Sequence, residues 1–149
     1  MRLYGTYDHS MDDKSRVTLP ADFRAHYAQG AVLVRLPVQP NCVSVFSEED
    51  WEAVESRFIE VKDDFDDPEV DWSIREIYMY MSRVVPDRQG RVLVQSSVSE
   101  GLDLCGSVKI VGHKDRLEIW NPDMFAREQE RRNWLKAQRS LPKEPGDES

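Results

Sequence analysis

The sequence repeats itself at an offset of about 75 residues, and this repeat constrains the fold more than any other feature. Placing Arg16 on Arg91 also aligns Asp12 with Asp87, Ser15 with Gly90, Val17 with Val92 and Leu19 with Val94. At nearly the same offset residues 43–47 align with residues 117–121, and Trp51 aligns with Phe125. The chain therefore contains two copies of one supersecondary unit.

Each copy has the pattern of a polar turn, a short strand, a second pair of strands and a helix. Enrichment in β-branched residues, with Gly, Pro and Asn between the runs, indicates where the strands lie. In the first copy it predicts strands over about residues 17–20, 31–36 and 42–46. In the second copy it predicts strands over about residues 92–95, 107–112 and 116–120, with Lys114-Asp115 as a tight turn.

Helix starts follow the last strand of each copy. Ser47 is a typical N-cap, and Asn121-Pro122 combines an N-cap with proline at the first helical position. In the first of these helices the spacing of the apolar residues predicts one buried stripe, formed by Trp51, Val54, Phe58 and Val61.

A second middle helix is predicted to open at Asp67-Pro68 and to end before Pro86. Its apolar face, formed by Val70, Ile74, Ile77 and Met81, should pack on the first helix or on a barrel. The neighbouring segment 62–67 is rich in aspartate, but it lacks the Gly and the terminal Glu of a calcium loop. It therefore predicts no metal site.

The net charge of −8 argues by itself against a nucleic-acid partner. The acidity is concentrated in residues 41–82, where thirteen acids face only Arg57, Lys62 and Arg75. Residues 1–40 and 83–121, which contain the two turns, are each slightly basic. The distribution of charge therefore leaves DNA binding open.

The sequence also favours a cytosolic protein without catalytic residues or cofactors. No apolar run reaches the length of a membrane span, and the first residues lack a secretory signal. Cys42 and Cys105 fit no metal or redox spacing, so we expect two inert thiols, with a structural disulfide as the alternative. His9, His26 and His113 fall in no catalytic motif, which leaves little support for an enzyme.

Two segments resemble the signatures of the MraZ family. Residues 12–24, Asp-Asp-Lys-Ser-Arg-Val-Thr-Leu-Pro-Ala-Asp-Phe-Arg, resemble the first signature. Residues 87–91, followed by Val-Lys-Ile-Val-Gly at 108–112 and Leu-Glu-Ile-Trp at 117–120, resemble the second. The resemblance covers the chain from about Leu3 to about Trp134.

The resemblance implies an α+β fold, a double-split β-barrel formed by two tandem swapped-hairpin repeats of the SpoVT/AbrB type with packed helices. On this basis we expect a first repeat over residues 1–53, an acidic helical connector over 54–82 and a second repeat over 83–126. Residues 127–149 would form a C-terminal helix and a disordered tail.

The family resemblance also implies a function. It predicts a transcriptional regulator of the division and cell-wall gene cluster, a repressor that binds direct repeats in its own promoter. The expected partners are double-stranded DNA and further copies of the chain, in a ring-shaped, octamer-like homo-oligomer. Neither a membrane nor a small-molecule substrate is expected, and the protein should be cytoplasmic and associated with the nucleoid.

The two Asp-x-x-x-Arg turns are the predicted DNA contacts. Arg16 and Arg91 can fork onto phosphates or guanine edges, with Lys14 and Arg88 as phosphate partners on the same turns. Asp12 and Asp87 should orient the turns, because a carboxylate facing phosphate would repel it. Arg2, Arg24 and Arg83 are flanking candidates.

The first turn departs from the family pattern, since Ser15 replaces the usual glycine that Gly90 keeps in the second turn. If that position has a positive φ, Ser15 must accept strain of about 1 kcal/mol or re-route the turn. We therefore expect the two turns to contribute unequally, with Arg91 the better placed arginine.

Two alternatives remain open at this point. Each Asp/Arg pair could do no more than staple a tight turn, as such pairs do in many folds. The chain could also be an antitoxin-like protein-interaction module of the same barrel class. The duplication favours the DNA-binding regulator, because such antitoxins generally carry a single hairpin motif and dimerise.

Overall fold

The computed structural model describes residues 1–60 and 66–140. Eight strands form one sheet in it. The first half of the chain contains β1 (Thr6–Met11), β2 (Arg16–Thr18), a 3-10 helix (Ala21–Tyr27), β3 (Ala31–Leu36), β4 (Gln39–Ser47) and α1 (Glu48–Val54), which continues as a π-helix (Glu55–Glu60). The second half contains α2 (Pro68–Met79), β5 (Ser82–Val84), β6 (Arg91–Leu93), α3 (Ser96–Ser99), β7 (Gly106–His113), β8 (Arg116–Trp120) and α4 (Pro122–Ser140).

The sheet is a nearly closed antiparallel barrel in which the two repeats exchange strands. The strand order is β5-β3-β4-β8-β7-β1-β2-β6. Strand β1 of the first repeat pairs with β7 of the second, and β5 of the second repeat pairs with β3 of the first. The predicted fold class, α+β with a double-split barrel, is confirmed.

Two further pairings join equivalent strands of the two repeats. In β2–β6 Val17 faces Val92, and in β4–β8 Ser44 faces Glu118. In both pairings the counterparts of two facing residues also face each other, as two-fold symmetry requires. Arg16 faces Leu93 while Thr18 faces Arg91. In the same way Val43 faces Ile119 while Val45 faces Leu117. The barrel therefore has approximate two-fold symmetry within a single chain.

The barrel interior is an apolar core drawn from both repeats. Val17 and Leu19 of the first repeat and Val92 and Val94 of the second are all at most 1% exposed. A second apolar cluster lies between the sheet and the helices and includes Val32, Val34, Phe46, Trp51, Ile59 and Ile77. The helices of the acidic middle segment are thus packed on the outside of the barrel.

The predicted helix starts are confirmed by their caps. The Ser47 hydroxyl accepts a hydrogen bond from the Asp50 amide at 3.1 Å. Asn121 Oδ1 accepts from the amides of Asp123 and Met124 at 2.9 and 3.1 Å. Asp67 caps α2 through the amide of Glu69 at 3.0 Å. Each cap satisfies amides that the first helical turn leaves unpaired.

The predicted buried stripe is wrong at Phe58, which is 48% exposed. Trp51 and Val54 are buried as expected, but the helix then widens into the π-helix. A π-helix has more residues per turn, so the buried position after Val54 moves from Phe58 to Ile59, which is 7% exposed. Val61, the last residue of the predicted stripe, lies outside the described residues.

On the second middle helix Ile77 is buried and Ile74 partly buried in the second cluster, as predicted, whereas Val70 is not part of that cluster. It ends at Met79, so Met81 packs against the same cluster from beyond the helix. Most of the aspartate-rich segment and the predicted tail from residue 141 onward lie outside the described residues. Residues 127–140 belong to α4.

Several strand boundaries differ from the sequence-based prediction, and β1 and β5 were missed. In β1 the exposed Thr6, Asp8 and Ser10 alternate with the partly buried Tyr7, His9 and Met11. Such polar strands carry a weak β signal, and their partners lie in the other repeat. Strand β4 also extends beyond the predicted 42–46 at both ends.

Both cysteines are free thiols, so the alternative of a disulfide is not realised. Cys42 is buried, and burial raises the pKa of its thiol, which agrees with an inert residue. Cys105 is exposed. Of the helices in residues 1–60 and 66–140, none combines the length and apolarity that crossing a bilayer requires.

Tyr27 fastens the 3-10 helix to the barrel, because its buried hydroxyl donates to the Val45 carbonyl at 2.7 Å. Tyr27→Phe should lower the free energy of unfolding by about 1–2 kcal/mol, the usual cost of leaving a buried carbonyl short of a donor. Urea denaturation followed by circular dichroism measures this loss. The matched control is Tyr4→Phe, at a residue that is 67% exposed, and it should unfold like the wild type.

Candidate nucleic-acid interface

The first turn connects β1 to β2 and is organised by the carboxylate of Asp12. Asp12 Oδ1 accepts hydrogen bonds from the backbone amides of Lys14 and Arg16, both at 2.9 Å. Its second oxygen, Oδ2, accepts from Arg16 Nε at 2.8 Å. One carboxylate thus shapes the turn and fixes the arginine that follows it.

The second turn repeats this geometry atom for atom. Asp87 Oδ1 accepts from the amides of Gln89 and Arg91 at 2.9 Å, and Oδ2 accepts from Arg91 Nε at 2.7 Å. The pairing predicted from the Asp-x-x-x-Arg spacing is therefore present in both repeats, and both aspartates orient their arginine.

Ser15 and Gly90 occupy equivalent backbone positions with positive φ, at 60° and 76°. Their amides donate to the carbonyls of Asp12 and Asp87 at 3.1 and 2.9 Å. Ser15 therefore adopts the strained left-handed conformation, and the turn is not re-routed to avoid it. Gly90 adopts it without the steric cost that a side chain brings.

The two turns are bonded to each other across the repeats. The Ser15 carbonyl accepts from the Val94 amide at 2.8 Å, and the Gly90 carbonyl accepts from the Leu19 amide at 2.9 Å. In addition, Arg91 Nη1 lies 3.9 Å from Asp12 Oδ2. Asp12 therefore faces the arginines of both turns, a role that the sequence pattern does not reveal because the second arginine comes from the other repeat.

The backbone amides around each carboxylate perturb its titration. The amide of Arg16 lowers the pKa of Asp12, assisted by the Arg16 side chain and the Lys14 amide. The amide of Arg91 lowers the pKa of Asp87 in the same way, assisted by the Arg91 side chain and the Gln89 amide. Both groups are thus held as carboxylates, the form that can accept all three hydrogen bonds.

The remaining predicted cations differ in their surroundings. Lys14 and Arg88 are exposed on the two turns, and neither has a carboxylate partner among residues 1–60 and 66–140. Arg24 is also exposed and has no carboxylate partner among the described residues, but its Nε donates to the Leu19 carbonyl at 3.2 Å. Arg83 forms an ion pair with Glu48 of α1, in which Arg83 Nε lies 3.3 Å from Glu48 Oε1.

The described histidines and acidic residues form no metal-binding cluster. Within residues 1–60 and 66–140 no group of three or more His, Cys, Asp or Glu residues is placed to hold a metal ion. His26 Nε2 lies 2.8 Å from Asp50 Oδ2, an interaction that joins the 3-10 helix to α1.

Sequence comparisons show which family the chain is similar to. Residues 3–69 match the sequence profile described as "MraZ protein, putative antitoxin-like". The chain is 35% identical to the protein named Transcriptional regulator MraZ from Kocuria rhizophila, over 78% of this chain and 79% of the relative. It is 31% identical to the protein of that name from Thermus thermophilus, over 98% of this chain and 94% of the relative. The chain belongs to the MraZ family.

Membership identifies the chain as a transcriptional regulator of a non-enzymatic family, as the sequence predicts. A further relative from Acetivibrio thermocellus, also named Transcriptional regulator MraZ, is 31% identical over 79% of this chain and 80% of its own length. The interlocked barrel described above is consistent with the MraZ swapped-hairpin fold.

The lowered pKa values predict how the turns respond to acid. A carboxyl whose pKa is depressed by folding stabilises the folded state above its unfolded pKa, near 3.8, and loses this contribution as the pH falls through the lower folded value. The double variant Asp12→Asn/Asp87→Asn should therefore melt below the wild type at neutral pH. The difference should shrink below pH 3.8.

Thermal unfolding followed by circular dichroism across this pH range measures the effect. Asp13→Asn, which changes an exposed aspartate of the first turn, is the matched control and should melt like the wild type throughout. A difference between the double variant and the wild type that stays constant with pH would contradict the assignment.

Proposed function

We propose that the two Asp-x-x-x-Arg turns are the DNA-binding surface of this regulator. The observation that carries the proposal is the joining of two equivalent arginine-bearing turns by reciprocal hydrogen bonds between the repeats. Arg16 and Arg91 make the direct contacts, and Lys14 and Arg88 bind flanking phosphates. Asp12 and Asp87 hold the arginines in place without facing the DNA.

The hydrogen bonding of each arginine supports this role. Asp12 and Asp87 engage the Nε groups of Arg16 and Arg91, which leaves the Nη groups as the principal donors available to a ligand. A guanidinium held through Nε can present a fork of donors to phosphate oxygens or to O6 and N7 of guanine. The ion pair thus reduces the freedom that each arginine would lose on binding.

The acidic middle segment does not oppose this proposal. Its helices α1 and α2 contact β3 and β4, and Glu48 of α1 reaches Arg83 of β5, whereas the turns themselves lie beyond these contacts, between β1 and β2 and between β5 and β6. At physiological salt, fields between exposed charges are screened beyond about 8 Å. Basic turns can therefore bind DNA while the carboxylates of the helices face solvent elsewhere.

The proposed target is the set of direct repeats in the promoter of the chain's own gene, which would make the protein a repressor of a division and cell-wall cluster. This follows the family resemblance, and the relatives are named as transcriptional regulators. A single pair of turns offers few contacts, so several copies must act together for tight binding. We propose a ring-shaped, octamer-like assembly associated with the nucleoid.

Exposed aromatic residues support self-association. Trp72 on α2 and Trp134 on α4 are 53% and 61% exposed, unlike the fully packed Trp51. Helix α4 spans 19 residues without a single buried one. Large apolar side chains in such positions are typical of interfaces. A head-to-tail interface repeats one orientation and suits direct repeats, whereas a two-fold dimer suits palindromes.

The DNA-binding prediction is tested by gel shift with the duplex upstream of the chain's own gene. Arg16→Ala and Arg91→Ala should each weaken binding by at least about tenfold, because a charged contact is worth roughly 1.5–3 kcal/mol. Lys14→Ala and Arg88→Ala should weaken binding less and flatten its salt dependence. Arg57→Ala, which removes an exposed arginine of the π-helix that stacks on Phe58, is the matched control and should bind like the wild type.

Two results would overturn the proposal. One is the absence of any shift by the wild type at low salt. The other is unchanged binding by both the Arg16 and Arg91 variants, which would mean that the ion pairs do no more than staple the turns.

The assembly prediction is tested by light scattering coupled to size-exclusion chromatography. The wild type should have a mass several times the 17.4 kDa of one chain. Trp134→Ala should shift the population to smaller species, while Arg132→Ala, on the opposite face of α4, should not. A wild type that elutes at the mass of one chain across micromolar concentrations would refute the ring.

A further inference from the structure

Arg24 belongs to the first repeat, but its side chain lies across the turn of the second. A Cβ atom added to Gly90 would lie 2.5 Å from Arg24 Nε and 2.6 Å from Arg24 Cδ. The same Nε donates to the Leu19 carbonyl, and the Leu19 amide in turn donates to the Gly90 carbonyl. Gly90 is consequently buried, whereas the equivalent Ser15 is exposed.

The corresponding arrangement is missing from the first turn. Ser99 is the counterpart of Arg24 in the second repeat, because the residues that precede them, Val98 and Phe23, make equivalent backbone hydrogen bonds. The Phe23 amide donates to the Pro20 carbonyl, and the Val98 amide donates to the Gln95 carbonyl, both at 3.0 Å. The short Ser99 side chain donates locally to the Gln95 carbonyl at 3.3 Å.

This difference accounts for the unequal turn residues. An arginine stem packed on Gly90 leaves no room for a side chain there without displacing that stem. The serine at position 99 cannot cover the first turn in this way, so Ser15 has space for its side chain although its φ is strained. The exchange of glycine for serine is thus accompanied by the exchange of arginine for serine at the position that reaches the turn.

The two turns also differ in charge. Residues 12–16 of the first turn contain two aspartates, Lys14 and Arg16, which sum to zero. Residues 87–91 of the second turn contain one aspartate, Arg88 and Arg91, which sum to +1. Arg24 raises the charge at the second turn to +2. No carboxylate among the described residues pairs with Arg24.

We propose that Arg24 is a phosphate-binding residue of the second turn, which makes that turn the dominant electrostatic contact of the pair. This inference rests on the proposed DNA-binding function and deepens it. The Nε of Arg24 is held by the Leu19 carbonyl and its stem lies on Gly90, so the Nη groups are the donors left for a phosphate. A guanidinium positioned in this way adds affinity without reading sequence.

One consequence concerns how the barrel lies on DNA. Equal turns related by two-fold symmetry would contact DNA equally in either orientation. A charge of +2 at one turn and zero at the other removes that equivalence. The chain therefore has an intrinsic direction on the duplex, which suits repeats that all point the same way.

The test measures binding of the full chain to a fluorescein-labelled duplex from upstream of its own gene, by anisotropy at several salt concentrations. Arg24→Gln should weaken binding by about fivefold to tenfold and should reduce the slope of log K against log salt by about 1 for each contacting chain. Arg24→Lys keeps the charge, and its affinity should remain within about twofold of the wild type. Equal affinity and slope for Arg24→Gln and the wild type would overturn the inference.

A double-mutant cycle assigns Arg24 to one turn. The loss caused by Arg24→Gln should persist in an Arg16→Gln background, which impairs only the first turn. It should largely disappear in an Arg88→Gln/Arg91→Gln background, because a second turn that no longer contacts DNA cannot position Arg24. Equal losses in both backgrounds would contradict the assignment.

A second variant, which introduces the Gly–Arg pair of the second turn into the first turn, keeps the test independent of any instability of Arg24→Gln. Ser15→Gly/Ser99→Arg should give the first turn its own covering arginine, with tighter binding and a slope steeper by about 1 for each chain. Unchanged binding by this variant, folded as judged by circular dichroism, would count against the inference.

The outcomes separate the two proposals. If the wild type does not bind, or if the Arg16 and Arg91 variants bind normally, the proposed function fails. If these variants lose binding while Arg24→Gln retains the affinity and the salt dependence of the wild type, the role of Arg24 alone fails.

Discussion

The pairing of β2 with β6 is the constraint on which the rest of this molecule depends. It places Val17 against Val92 in the core and brings the two turns together through the carbonyls of Ser15 and Gly90. Because each strand has only three residues, neither would be stable without a partner from the other repeat. The same bonds that add β6 to the sheet therefore also assemble the candidate site, so the fold and the site form together.

The two aspartates provide hydrogen-bond acceptors for the backbone amides of the turns. Each turn leaves backbone amides without partners inside the turn, and one carboxylate satisfies two of them while holding an arginine. A neutral side chain would bind these donors less strongly. Asp12 additionally faces Arg91 of the other turn, which links the arrangement of one repeat to that of its partner.

The charge distribution follows from where the chain places its helices. The acids of residues 41–82 are carried largely by α1 and α2, which cover β3 and β4 outside the barrel. The turns keep their own balance, neutral at one and positive at the other. A protein with a net charge of −8 can therefore present a basic surface, and the total charge is a poor guide to its partner.

Much of this molecule could be read from the sequence alone. The repeat, the Asp-x-x-x-Arg turns and the helix caps at Ser47 and Asn121 are set by local spacing and by residue chemistry, which act over a few positions. The α+β class with its double-split barrel was implied by the family resemblance. The polar strands β1 and β5 could not be read in this way, because their pairing partners lie in the other repeat. The buried position moves from Phe58 to Ile59 because of a π-helix, which the spacing of apolar residues does not predict. The contact of Arg24 with Gly90 was likewise decided by tertiary structure, since the exchange of strands carries a side chain of one repeat onto the turn of the other.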